Sequence, residues 1–395
     1  MSSSRTVIVY RDTLLPVSET FIRCQGDSLR RFQPIYVGLR RTPSLPLPES
    51  RVRLLCRDGI VGKVQRARFT FLGPTRNQQK ALSKEGPLLF HAHFGPDGSD
   101  VLTLAHALKI PLVVSLHGYD VNSRGDGLPA RYLRRRGPLQ KSAARFICIS
   151  EFIRKQAIAQ GFPAEKTVVH YTGIDTDFFR PNPATPRLPV VLFVGRLSLA
   201  KGCDCLLAAM AFVQKAMPDA KLVVIGDGPQ RTELEQQAAA LLLNCDFLGL
   251  QPPEVVRDWM NRAMVFSSPS CVTAVDQEGF GMTFAEAQAM GLPVVSTFVG
   301  GIPEAVADEQ TGFLVPERSP EALAAKLLTL LQNRELWSNF SEAGRIRVGK
   351  LFDIQRQAVH LESIYESVLT EWESQMASET ALERQQTSDD NLIEA

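Results

Sequence analysis

Residues 278–286 read Glu278-Gly-Phe-Gly-Met-Thr-Phe-Ala-Glu286, and this stretch decides how the rest of the chain is organised. An apolar run before it, Ala263-Met-Val-Phe266, reads as a buried parallel strand ending in Ser267-Ser-Pro-Ser270. Helix formers over 282–290 stop before Gly291-Leu-Pro293, a strong terminator. Glu278 therefore falls in a loop and Glu286 in the second turn of a helix. Gly279 and Gly281 let the backbone come close to a ligand, while the unpaired amides of the helix start favour an anion. One carboxylate on each side of such a start can grip hydroxyls flanking a phosphate, the anatomy of a nucleotide-sugar site. Two glutamates at this spacing also occur by chance as solvated residues, so the neighbouring sequence has to decide.

Glu278 followed by Gly279-Phe280-Gly281, and Glu286 followed by Ala-Gln-Ala-Met-Gly291-Leu-Pro-Val294, resemble the retaining glycosyltransferases of family 4. The resemblance implies that Glu278 holds hydroxyls of a donor sugar and Glu286 the ribose of its nucleotide. Gly279, Phe280, Gly281 and Met282 then complete the donor-binding turn. It also implies a GT-B architecture, with two Rossmann-like domains facing each other across a cleft.

The chain has 395 residues with 44% hydrophobic content, enough for a large core and long for one compact unit, so two domains are expected. No run of about 18 apolar residues occurs, and Met-Ser-Ser-Ser-Arg5 leads directly into strand-like Thr-Val-Ile-Val-Tyr10. The expectation is a cytoplasmic protein, peripheral at most at the inner face of a membrane. Seven scattered cysteines argue against a disulfide framework, and Cys203-Asp-Cys205 is too sparse for zinc. The net charge of +2 hides an asymmetry: residues 1–182 hold 28 Lys+Arg against 14 Asp+Glu, and the remainder is acidic. A basic first half suits a phosphorylated acceptor or an anionic membrane face. Arg134-Arg-Arg136 with Arg131, Lys141 and Arg145 is its densest patch. Nucleic acid is not expected, because no recognition motif accompanies the charge.

In chain order, residues 6–10 read as the first strand, and Ser18-Glu-Thr-Phe-Ile22 opens a helix with Ser18 as N-cap. Ser18, Glu19 and Thr20 are acceptor or phosphate candidates, although many family 4 enzymes carry paired glycines here. Residues 58–86 give no clear pattern. The strand 87–90 ends in His91-Ala-His93-Phe-Gly-Pro-Asp97, and the strand 111–116 ends in His117-Gly118-Tyr-Asp120. Ligands in open α/β sheets sit beyond the carboxyl ends of strands, which makes His117 a site candidate, with His93 and Asp120 as further acceptor candidates. A metal reading of His91 and His93 lacks a third ligand. The pairing of these two segments is similar to the branch of family 4 that builds bacterial exopolysaccharide and colanic-acid-type repeats, which implies a lipid-diphosphate-linked acceptor. Pro181-Asn-Pro-Ala-Thr-Pro186 reads as the linker.

The second half restarts with the strand 190–194 and Gly195-Arg196-Leu-Ser-Leu-Ala-Lys201-Gly202. Two cations at a strand end suit a diphosphate that gains charge as it leaves, so Arg196 and Lys201 are the leaving-group clamp. Gly226 opens the next glycine turn, and the resemblance places the nucleotide base near Gly249 and Leu250. The domain expectation is 1–182 for acceptor, 187–351 for donor, a crossover helix over 352–373 and a disordered acidic tail over 374–395. The function implied is a hexosyltransferase that moves sugar from a nucleotide donor, UDP ahead of GDP or ADP, to a glycan or lipid-linked glycan. His117, Glu278, Arg196 and Lys201 would be its catalytic residues, working with retention, without a covalent intermediate and with no metal or cofactor. A phosphorylase-type enzyme of the same fold, a silent nucleotide-sugar-binding protein and, last, a nicotinamide oxidoreductase are the alternatives.

Overall fold

The computed structural model describes residues 5–16, 19–42, 46–122, 127–274 and 276–393, with backbone only at 122 and 381–393. Each half of the chain is built on one large parallel sheet, and a two-stranded parallel pair, Thr13–Leu14 with Arg40–Arg41, adds to the first half. The first large sheet runs from edge to edge as Val52–Leu54, Phe32–Gly38, Arg5–Tyr10, Pro87–His93, Leu112–Leu116, Arg145–Cys148 and Thr167–Val169. The second runs Cys245–Gly249, Lys221–Ile225, Val190–Val194, Val265–Ser267, Val294–Thr297 and Gly312–Val315. These strands read as unbroken apolar runs because helices cover both faces of the sheet. In the strand Leu112–Leu116 every residue is buried.

Strand order reverses between Arg5–Tyr10 and Pro87–His93 in the first sheet and between Val190–Val194 and Val265–Ser267 in the second. Crevices open beyond the carboxyl ends of strands at such points. Arg11, Phe94 and Ser268 are the first residues out of three of these strands and Arg196 is the second out of Val190–Val194, so both crevices carry polar or aromatic groups. The chain crosses between domains twice, and the two crossings lie side by side: Ile174 N donates to Phe352 O at 2.7 Å and Ile354 N to Ile174 O at 2.9 Å.

The last helix, Ile354–Ile393, returns to the first domain. Its Leu361, Ile364, Tyr365 and Val368 pack on Val7, Leu89, Val113 and Ile147 of the first sheet. Glu362 fixes the angle of return, accepting from the amides of Arg30 and Arg31 at 2.7 and 2.6 Å. The segment expected to be disordered beyond residue 374 continues as helix to Ile393, in a stretch free of the helix breakers glycine and proline. Residues 58–86 form two helices, Gly59–Leu72 and Arg76–Ser83, the second opened by a Thr75/Gln78 capping box. All seven cysteines are free thiols.

Candidate active site

The donor-side half of the site is a set of glycine turns stacked on one another. Gly281, at φ 82°, ends the loop and is the N-cap of the helix Met282–Ala289. A Cβ there would sit 2.3 Å from the Phe284 ring, so only glycine closes this turn. Behind it, Gly301 N donates to Glu278 O at 3.0 Å. A Cβ on Gly300 would meet that same carbonyl at 2.0 Å, and one on Gly301 would meet Gly279 O at 2.1 Å. The Gly-Gly pair is thus the bed on which the Glu278 loop lies. The neighbouring loop is held in the same way, with Leu197 N donating to Asp227 O at 3.0 Å and Gly226 packed on Gly195 O.

These turns deliver Lys201 to Glu278. The ammonium and the carboxylate form a hydrogen-bonded ion pair in which Glu278 is mostly buried. Burial pulls the Lys201 ammonium down, but the charge and hydrogen bond of Glu278, with Asp276 beyond it, outweigh this and hold its pKa above the usual value. Arg196, the other expected clamp, is exposed and has no ion-pair partner among the described residues. Glu286 lies in the second turn of its helix. Its carboxylate has no hydrogen-bond or ion-pair partner among the described residues, and burial raises its pKa to about 7. Gly249 adopts φ 68° beside the Arg231 guanidinium, and Leu250 is exposed. The Phe280 ring, by contrast, is buried between Tyr171 and Phe352, so this residue offers only its backbone to a ligand.

Across the cleft, the loops after Pro87–His93 and Leu112–Leu116 build the other wall. His117 is boxed by the rings of Phe94 at 4.5 Å, Phe21 at 5.1 Å and His93 at 5.3 Å. Phe94 reaches this place through a backbone φ of 72°, unusual for an aromatic residue and held by Phe94 N donating to Ser115 O at 2.8 Å. His93 Nδ1 and His117 Nε2 share one hydrogen bond of 3.1 Å, so the tautomers of the two rings are coupled, one nitrogen donating and the other accepting. Burial, reinforced by the Arg11 charge, lowers the His117 pKa to about 3, and burial, with His91, His117 and Arg11 close by, lowers that of His93. Both rings are therefore neutral near pH 7. His91, one layer below, is held by Tyr365 OH at 2.6 Å and Ser115 Oγ at 2.7 Å.

The two walls meet. A Cβ on Gly279 would lie 2.9 Å from His117 O, and Ser150 Oγ donates to Gly279 O at 2.6 Å. Glu304, from the second domain, accepts from the amides of Glu151 and Phe152 at 2.7 Å each and from Tyr171 OH at 3.0 Å. It is an anion docked on the N-terminus of a first-domain helix, and it holds the domains together at the rim of the site. Between the walls lies a cavity of about 200 Å³ bounded by Phe94, His117, Gly118, Lys201, Glu278 and Gly279. A larger depression of about 670 Å³ beside Arg180 and Arg345 lies away from this chemistry.

Several expected acceptor contacts are occupied inside the protein. Glu19 is buried and makes a two-point ion pair with Arg11 at 2.8 and 2.5 Å, and Arg11 also binds Asp97 at 2.5 Å and stacks on Phe94. Asp120 is fully buried and accepts from the amides of Gly95, His117 and Gly118 at 2.9, 3.0 and 3.0 Å. It shapes the His117 loop and does not face the cavity. His93 lies buried behind His117. Thr20 is exposed at the start of the helix Thr20–Asp27, and Ser18 lies outside the described residues. Arg11 and Glu304 belong to the site although nothing in their local sequence marks them, since their partners lie up to 86 and 153 residues away.

Two Rossmann-like domains, a glycine-bedded helix start in one and a histidine loop in the other, define the GT-B class of glycosyltransferase. Comparisons agree with this assignment. The model for "Glycosyltransferase Family 4" matches residues 30–178 and that for "Glycosyl transferases group 1" matches residues 175–347. An uncharacterized glycosyltransferase of Methanocaldococcus jannaschii is 28% identical over 289 residues, 73% of this chain and 77% of that protein. A putative colanic acid biosynthesis glycosyltransferase, WcaL, of Escherichia coli K12 is 32% identical over 257 residues, 62% of this chain and 61% of that protein. Among solved structures, HepE of Anabaena in complex with UDP superposes with a TM-score of 0.75 over 92% of this chain and 100% of that one, at 20% identity. The chain belongs to the family 4 glycosyltransferases.

Proposed function

We propose that the protein transfers a hexose from a nucleotide-sugar, UDP-linked in the first instance, to a glycan or lipid-linked glycan in polysaccharide synthesis, with retention at the anomeric carbon. The observation that carries this reading is the Lys201–Glu278 pair at the mouth of the cavity, next to the glycine start of Met282–Ala289 and facing His117. A diphosphate arriving at the Met282 amide meets Lys201 and Arg196, which stabilise the charge that develops as it leaves. These groups supply the electrostatics without a metal. Once Lys201 turns to phosphate, Glu278 is free to accept from sugar hydroxyls, and Glu286 accepts from the ribose. UDP is favoured because the similar HepE was solved with UDP, and the acceptor class because WcaL is named for colanic acid synthesis.

In the proposed step the acceptor hydroxyl attacks C1 on the face from which the diphosphate departs. The C1–O bond to phosphate breaks, the new glycosidic bond forms, and a departing phosphate oxygen takes the hydroxyl proton. His117, neutral and tautomerically coupled to His93, orients the sugar. A retaining double displacement would need a carboxylate nucleophile placed against the anomeric carbon. In this reading Glu278 is instead engaged by the sugar hydroxyls. The test is NMR of the sugar first released when an α-linked UDP-sugar is slowly hydrolysed by the enzyme in EDTA. The α-anomer is the predicted first product, and β-anomer would overturn the reading.

A further inference from the structure

The helix Gly59–Leu72 is pinned to the core by one side only. Phe69 is buried in the first-domain core, and Gly62 lies so close to Arg57 O that a Cβ would approach it to 1.6 Å. The opposite side is bare: Ile60 is 80% exposed, Phe71 70% and Leu72 77%, with Val61 and Val64 more than half exposed. No other helix among the described residues exposes more than one large aliphatic or aromatic side chain. Positions 60, 64, 67 and 71 recur at helical spacing and form a stripe, with Lys63 along one border and Arg68 along the other.

Charge gives this face its partner. From Arg57 to Arg76 the chain carries Arg57, Lys63, Arg66, Arg68 and Arg76 against the single acid Asp58. None of these five cations has an ion-pair partner among the described residues. The basic patch that sequence singled out is different. Arg131 and Arg135 are paired with Asp100, Arg136 with Gln160 and Arg145 with Glu371, so most of that charge is engaged in holding the fold. The bond from Arg135 to Thr70 O, 2.7 Å, sets the helix Ala130–Ser142, which carries the exposed Leu133 and Arg134, beside the bare helix.

We infer that Gly59–Leu72 is an interfacial membrane helix: its apolar stripe enters the headgroup–acyl boundary of an anionic bilayer while Lys63, Arg68 and Arg57 bind lipid phosphate. Apolar residues flanked by cations and lacking acids are the composition such a boundary accepts. A water-facing helix gains nothing from five exposed apolar groups, and a protein partner of ordinary polarity does not select five cations. The helix belongs to the domain assigned to the acceptor, so docking brings the cleft to substrates held at a membrane.

The test is co-sedimentation of the full chain with vesicles of pure phosphatidylcholine and of phosphatidylcholine with phosphatidylglycerol. The protein is expected to pellet with the anionic vesicles only. Ile60→Asp with Phe71→Asp is expected to abolish binding, and Lys63→Glu with Arg68→Glu to lower partitioning about 30-fold or more, at roughly 1 kcal/mol per cation. All four positions are exposed on the bare face, and unchanged melting temperatures confirm intact variants. Failure to pellet at low salt, equal binding to neutral vesicles, or undiminished binding by Ile60→Asp/Phe71→Asp would each overturn the proposal. So would a concentration-dependent dimer dissolved by the same pair, because the face would then belong to a second copy.

Discussion

Replacing Glu286 by glutamine removes a carboxylate that the protein buries at a cost. Burial raises its pKa from 4.5 to about 7, and no cation offsets the charge. The folded-state pKa lies above the unfolded one, so the native state binds more protons between these values and stability falls as pH rises from 4.5 to 7. Above pH 7 the full cost is present, up to roughly 3 kcal/mol at 1.36 kcal/mol per unit. Glu286→Gln should therefore raise the melting temperature of the ligand-free protein by a few degrees or more at pH 8 and hardly change it at pH 4.5. The same substitution should weaken UDP binding by about 1.5–3 kcal/mol, the value of a hydrogen bond to a charged acceptor, or roughly ten- to a hundredfold. Thermal melts at the two pH values and calorimetric titration with UDP read both effects. In the unaltered protein, UDP affinity should rise as pH passes upward through about 7, where the carboxylate forms. A variant with unchanged melting at pH 8 and unchanged nucleotide affinity would refute both the buried charge and the ribose assignment.

Lys201→Met should lower donor hydrolysis by about 100-fold or more, the usual effect of losing one group that stabilises developing negative charge. It also strands Glu278, so chemical denaturation should find Lys201→Met less stable than Lys201→Met/Glu278→Gln by about 1–3 kcal/mol. Equal stabilities would mean that the pair is not formed. Glu304→Ala removes the anion from the Glu151–Phe152 helix start and should increase the radius of gyration by X-ray scattering while leaving each domain folded; an unchanged radius would deny the latch. His93→Phe frees the His117 tautomer and should reduce kcat about tenfold at unchanged UDP affinity, whereas a matching loss of affinity would make His93 a binding residue.

Strands were legible because both faces of each sheet are buried, so apolar runs such as 190–194 stand out whatever the tertiary context. The glycine start after Glu278 was legible because its turn excludes any Cβ. Residues 58–86 were not, because Ile60, Val64 and Phe71 face outward and the usual link between apolar period and burial is inverted there. Polar residues near strand ends were legible in place but not in role. Glu19 and Asp120 stand where acceptor contacts were expected, yet Arg11 and three backbone amides take their oxygens, and only the folded chain brings those partners together. Glu304 is the clearest case, since its ligands lie on the other domain.

In the proposed function the cleft binds and cleaves a nucleotide-sugar using its own cations and amides. The direct measurement is a screen of the purified protein against UDP-, GDP- and ADP-sugars in EDTA, reading melting temperature and nucleotide release together. One donor, UDP-linked, is predicted both to raise the melting temperature and to release nucleotide slowly with EDTA present. Stabilisation and release that appear only when a divalent metal is restored, or no response to any nucleotide-sugar, would contradict the account.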